Sequence, residues 1–195
     1  GGDSPPSDDE NECENQPLKD PNGKRWTMTE RGANSLFRVT NQLSIGPTNI
    51  TWKDNSIVIE LDEVTVPLPS SLRGKIIVKL PPLCKSAFAI DGKGKHLWWP
   101  ATPTCSITVD LERPNLSWKG KAYVDSNRGI EPLEKFFRYW DWYRAPDPTG
   151  GTIIIYNTQP MNGSAESLSI KVEPNGNIKS IEGLDTVELP KTPIW

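Results

Sequence analysis

At 195 residues the chain is long enough to bury one proper core, and its 24% charged residues leave a net charge of only −3. No basic stripe with interleaved aromatics runs along it, which argues against a nucleic-acid surface, and no apolar run nears the ~20 residues of a membrane-spanning helix. The mean hydropathy of −0.54 is low, but the polarity is concentrated near the N-terminus.

Residues 1–25 hold many acids, prolines and asparagines and almost no apolar side chains. Such a segment cannot offset its ordering entropy by burial and is expected to be disordered, with the folded domain spanning 26–187. From there, short runs rich in Val, Ile and Trp, bounded by Gly, Pro and Asn, predict strands. They fall near 35–40, 42–45, 48–53, 56–62, 73–79, 86–90, 105–111, 116–125, 138–145, 151–157, 166–172 and 177–187. Hairpin turns are expected at Lys53-Asp54-Asn55, Asp91-Gly92-Lys93-Gly94 and Pro174-Asn175-Gly176-Asn177. One segment departs from this pattern. Leu133, Phe136, Phe137 and Trp140 recur at helical spacing behind Pro132, which predicts a short helix near 131–140. Strands at such spacing with a single helix imply an all-β, calycin- or lipocalin-like antiparallel barrel or sandwich. Residues 188–195 end on an aliphatic-aromatic pair and read as the start of a linker to a further domain.

Three cysteines (Cys13, Cys84, Cys105) with no CxxC pair and a single histidine predict neither a metal site nor a disulfide framework. There is no Gly-x-Ser-x-Gly elbow, no P-loop and no HExxH. Sequons at Asn49, Asn115 and Asn162 leave a secreted or periplasmic setting open.

The stretch that carries chemistry combines HLWWP (96–100) with AYVD (122–125). On extended strands His96 and Trp98 face one side, as do Tyr123 and Asp125, with Trp99 turned to the other. Two neighbouring strands thus aim an imidazole, an indole, a phenol and a carboxyl into one cavity. Six of the eight residues 136–143 are aromatic and supply its walls. Many π-faces and few polar partners suit a carboxylic acid that protonates an alkene while rings shelter the carbocation. Enclosure by those rings is expected to keep Asp125 protonated.

The motifs RWTMTERG (25–32), IGPTNITWKDNSIVIELDEVTVPLPSSLRGKI (45–76), HLWWPATP (96–103) and LSWKGKAYVDSNRGIEPLEKFFRYWDWYRA (116–145) closely resemble the carotenoid 1,2-hydratase, or hydroxyneurosporene synthase, family. The resemblance runs in order from about residue 11 to 195. It implies addition of water across the terminal C1–C2 double bond of an acyclic carotenoid or related polyene isoprenoid, without an organic cofactor. It also implies two related calycin-like β domains, of which this chain carries one. The family's functional His, Trp, Tyr and Asp fall on His96, Trp98, Tyr123 and Asp125. Asp125 is then the proton donor, Trp98 a π-face toward the cation, Tyr123 a hydrogen-bond donor that orients Asp125 or water, and His96 the group that holds or deprotonates the water. Phe137, Trp140 and Trp142 read as substrate-binding wall, and Asp141 as scaffold. Asp141 or Glu131 is expected to pair with Arg128 or Arg144. Two departures from the family stand out, a polar stretch at 14–22 and Arg128 where an acid is usual. A substrate dissolved in bilayers implies peripheral membrane contact on the cytoplasmic side. The alternatives are a polyene cyclase or pericyclase on the same fold, or a non-catalytic lipocalin-like binder of apolar ligands.

Overall fold

The computed structural model describes residues 27, 28, 30–182 and 187. The expectations for residues 1–25, for Cys13 and for a linker at 188–195 lie outside the described residues. Among the described residues twelve strands follow in chain order: β1 (Leu36–Val39), β2 (Gln42–Ile45), β3 (Thr48–Lys53), β4 (Ser56–Val64), β5 (Ser71–Lys79), β6 (Phe88–Ala89), β7 (His96–Arg113), β8 (Leu116–Gly129), β9 (Phe137–Pro146), β10 (Thr152–Pro160), β11 (Glu166–Val172) and β12 (Ile178–Ser180). A single α-helical turn, α1 (Leu133–Phe136), precedes β9. The hairpin turns form where the local chemistry demands them. Asp54 and Asn55 both take positive φ, 47° and 54°, the conformation that a two-residue β3–β4 turn requires.

Two antiparallel sheets result. The larger has eight strands in the order β1-β2-β3-β4-β5-β7-β6, with β8 also on β7, and the smaller runs β12-β11-β10-β9. The sandwich expected from the sequence is realised and the barrel is not. Among the described residues β8 and β9 lie next to each other in the chain but pair in different sheets, so the strands do not close. The helix is also shorter than its apolar spacing suggests. From Phe137 onward the chain pairs with β10 (Phe137 with Pro160, Tyr139 with Gln159), and that ladder takes residues a second helical turn would need.

β7 is the axis of the molecule. It pairs β5 through residues 106–113, β6 through Leu97 and Trp98, and β8 along most of its length. Its two faces separate two cores. On one, Trp98 packs between the sheets with Cys84, Ile90, Phe137, Ile154, Tyr156, Ile170 and Val172. On the other, Cys105 packs with Val78 and Leu80, against Ala122 and Val124 of β8. In β10 the alternation of Thr152, Ile154, Tyr156 and Thr158 inward is complete. Cys84 and Cys105 are free and buried, and burial raises the pKa of both thiols.

Candidate functional site

The sequence reading takes His96–Pro100 as extended but sets Pro100 and Pro103 at strand ends and in rigid loops, so it draws no continuous strand through them. The strand accommodates them as two bulges. Trp99 pairs with Ser126, Thr102 with Val124 and Cys105 with Ala122. Two residues of β7, Pro100-Ala101, therefore stand opposite Asp125 alone, and Pro103-Thr104 stand opposite Tyr123 alone. A bulge adds local twist and re-aims the side chains around it. Here it does so opposite the two residues on β8 that the sequence singles out.

Both then converge with Trp98 on one oxygen. The Trp98 indole N–H donates to Asp125 Oδ2 at 2.9 Å, and the Tyr123 hydroxyl donates to the same Oδ2 at 2.9 Å. Oδ1 accepts no hydrogen bond from a described side chain. Trp98 has no exposed surface, so its donor is held rigidly by the core. Burial, then the charge of Asp125 and the bond to it, push the Tyr123 phenol pKa well above its ordinary value, so Tyr123 stays a neutral donor. Asp125 itself is exposed. The dry enclosure expected for it is not met, because β8 is a sheet edge and the aromatic residues cover only one side of the carboxyl.

Residues of the small sheet cross the open seam between β8 and β9. The Trp142 ring packs against Tyr123 at a tilt of 55°, with ring centroids 5.1 Å apart. The Arg144 guanidinium lies 5.4 Å from the Tyr123 ring centroid and donates to the Pro103 carbonyl oxygen at 2.9 Å. That carbonyl lies in the second bulge. The ion pairs predicted for Arg128 and Arg144 do not form among the described residues: Arg144 takes the carbonyl, and Glu131 pairs instead with Lys95 at 3.7 Å. Asp141 is exposed on β9. Arg31, in the loop before β1, pairs with Glu63 of β4 at 2.5 Å.

Tyr156 belongs to this cluster and sequence reasoning missed it. Its ring lies 5.3 Å from Trp98, and burial, then the charge of Asp125, raises the pKa of its phenol. The signal was available: a tyrosine on the inward period of an otherwise Ile/Thr strand, with cross-strand partner Trp142. Trp140 shares the face of Trp142 but is 45% exposed and makes no ring contact with the cluster. Trp99 faces away, its indole N–H bound to the Cys84 carbonyl at 2.7 Å.

His96 stands apart from the carboxyl cluster. It is 1% exposed, and its ring packs on Phe136 at 4.9 Å and Phe137 at 5.2 Å. Neither ring nitrogen has a hydrogen-bond partner among the described residues. The imidazole forms part of the wall of a separate cavity of about 130 Å³ with Ile90, Asn127, Arg128, Glu131 and Leu133. Phe137 is thus a neighbour of His96, not of Asp125. Among the described residues no group of three or more His, Cys, Asp or Glu side chains is placed to hold a metal ion, and no helix is long and apolar enough to cross a membrane.

The chain that places two donors on one exposed carboxylate, with a buried imidazole farther along the same hairpin, has clear sequence relatives. The family model described as "Carotenoid hydratase CrtC" matches residues 4–195. The acyclic carotenoid 1,2-hydratase of Thiocapsa roseopersicina is 42% identical over 173 residues, covering 89% of this chain and 42% of the relative. That of Rubrivivax gelatinosus is 37% identical over 190 residues, covering 97% of this chain and 47% of the relative. That of Cereibacter sphaeroides is 32% identical over 161 residues, with 82% and 57% covered. The chain spans about half the length of the curated relatives it matches. No solved structure matches. With nearly its whole length matched by that model, the chain belongs to the carotenoid hydratase family.

Proposed function

We propose that the chain carries the proton-donating site of a hydratase that adds water across the terminal C1–C2 double bond of an acyclic carotenoid. The single observation behind this reading is the shared acceptor: Trp98 and Tyr123 both donate to Asp125 Oδ2, which leaves Oδ1 as the oxygen that carries and delivers a proton. In the forward step Oδ1–H protonates C2, and the positive charge develops on the tertiary C1. The π-faces of Trp142 and Tyr123, which stand at the surface beside the carboxyl, offset that charge. Water then adds at C1, and His96 is the base assigned to the proton that the water gives up. Neither step calls for an organic cofactor. A substrate this apolar reaches the protein from a bilayer, so we place the chain peripherally on the cytoplasmic face of a membrane.

The test is Asp125→Asn, which keeps shape and removes the proton. Incubated with lycopene in ¹⁸O-labelled water, the parent chain should form a labelled tertiary alcohol, and the variant should lose about 10²-fold or more of that rate. Equal rates in the two proteins would sink the mechanism. Label-free cyclised product would favour a cyclase instead.

A further inference from the structure

Along β8 the residues Tyr123, Asp125, Asn127 and Gly129 alternate onto one face. Their partners on β7 define a path. Asn127 pairs across the ladder with Trp98, the residue whose indole holds Asp125, and Gly129 pairs with His96. The Asn127 backbone therefore lies two residues, about 6.7 Å, from that of Asp125 on one side and of Gly129, the partner of His96, on the other. It also lines the cavity of about 130 Å³ that His96 walls. That volume is large enough to hold water. The buried imidazole, with both nitrogens unpartnered, needs a polar occupant there, since a buried ring nitrogen without one is costly.

We infer that Asn127 is a positioning residue for the nucleophilic water, held in this cavity between its amide and His96. The inference rests on the hydration reading above and assigns the two halves of the reaction to different places. Asp125 Oδ1–H gives its proton to C2, and the C1–C2 π pair becomes the new C–H bond, leaving a cation at C1. An oxygen lone pair of the water forms the C1–O bond. One water proton passes to His96 and on to solvent, and the Asp125 carboxylate regains its proton from solvent. An amide suits the middle position because it both donates to a water oxygen and accepts from a water hydrogen. It carries no proton of its own into the reaction, so its loss should spare protonation and impair capture.

That split can be read in D₂O with detergent-dispersed lycopene. When the cation is not captured it returns to alkene, and the recovered polyene gains deuterium at C2. For Asn127→Ala the alcohol should form about tenfold or more slowly, while deuterium enters recovered lycopene at least as fast as with the parent. Asn127→Ser, whose hydroxyl also donates and accepts, should recover part of the hydration rate. Asp125→Asn should lose both signals. If Asn127→Ala lost alcohol and exchange in equal proportion, or lost neither, the inference would be wrong. If the parent itself gave neither alcohol nor exchange, the hydration reading would fall and this inference with it. Asn127 is exposed and makes no side-chain hydrogen bond to a described residue, so melting curves should match the parent. A lowered melting point in both variants would mark the residue as structural and overturn the assignment.

Discussion

Gly129→Ala tests whether His96 is as tightly held as its surroundings imply. A Cβ at Gly129 would lie 2.4 Å from His96 Nδ1 and 2.8 Å from its Cε1. Ordinary contact begins near 3.4 Å, so the ring or the strand must shift by about 1 Å. The ring has little room to yield. It is 1% exposed and lies against Phe136 and Phe137. The position does not require a left-handed backbone, so the cost is steric alone. Overpacking of this kind costs about 1–3 kcal/mol. At roughly 2–4 °C per kcal/mol for a chain of this size, thermal melting by circular dichroism should fall by about 2–12 °C. Gly32→Ala is the control: the backbone there is extended, a Cβ would meet nothing within 4 Å, and the expected change is within about 0.5 kcal/mol. In a His96→Ala background the penalty of Gly129→Ala should shrink, because the clash partner is gone. A Gly129→Ala protein that melts with the parent, or a penalty that persists without the imidazole, would refute the argument.

Three further outcomes follow from local geometry. Burial opposes ionisation of Asp91, but its carboxylate accepts backbone N–H bonds from Lys93, Gly94 and Lys95, which hold its pKa below the ordinary value. A folded-state pKa that is depressed gives stability at neutral pH that is lost as pH falls below about 4; chemical denaturation from pH 7 to 3 should show that loss, and Asp91→Asn should flatten it. Asn55→Gly relieves a positive φ in the β3–β4 turn and should stabilise by up to about 1 kcal/mol in urea unfolding, with an unchanged or lower midpoint arguing against the turn assignment. Burial keeps Cys84 and Cys105 as thiols, so peptide mapping after iodoacetamide at pH 8 should find both unmodified until the protein is unfolded.

Much of this molecule was legible in its residues. Val- and Ile-rich runs marked strands at 151–157 and 56–62, and Asp54-Asn55 announced its hairpin, because these features depend on a few neighbours along the chain. Strand alternation put Tyr123 and Asp125 on one side of β8 and turned Trp99 away from Trp98, which is why a constellation could be named at all. Other features belong to the packing of one strand on another. That Pro100 and Pro103 create bulges opposite Asp125 and Tyr123 depends on the β7–β8 register. The truncation of α1 depends on β10 being available to pair Phe137. Tyr156 and Arg144 enter the cluster from the second sheet, which no spacing along β8 reveals. The tertiary structure also divides what the sequence joined. His96 and Asp125 sit at different partners on the same hairpin, one sealed among phenylalanines and the other open at a sheet edge, because periodicity sets the face of a strand while only the packing sets how far along that face two groups lie and what covers them.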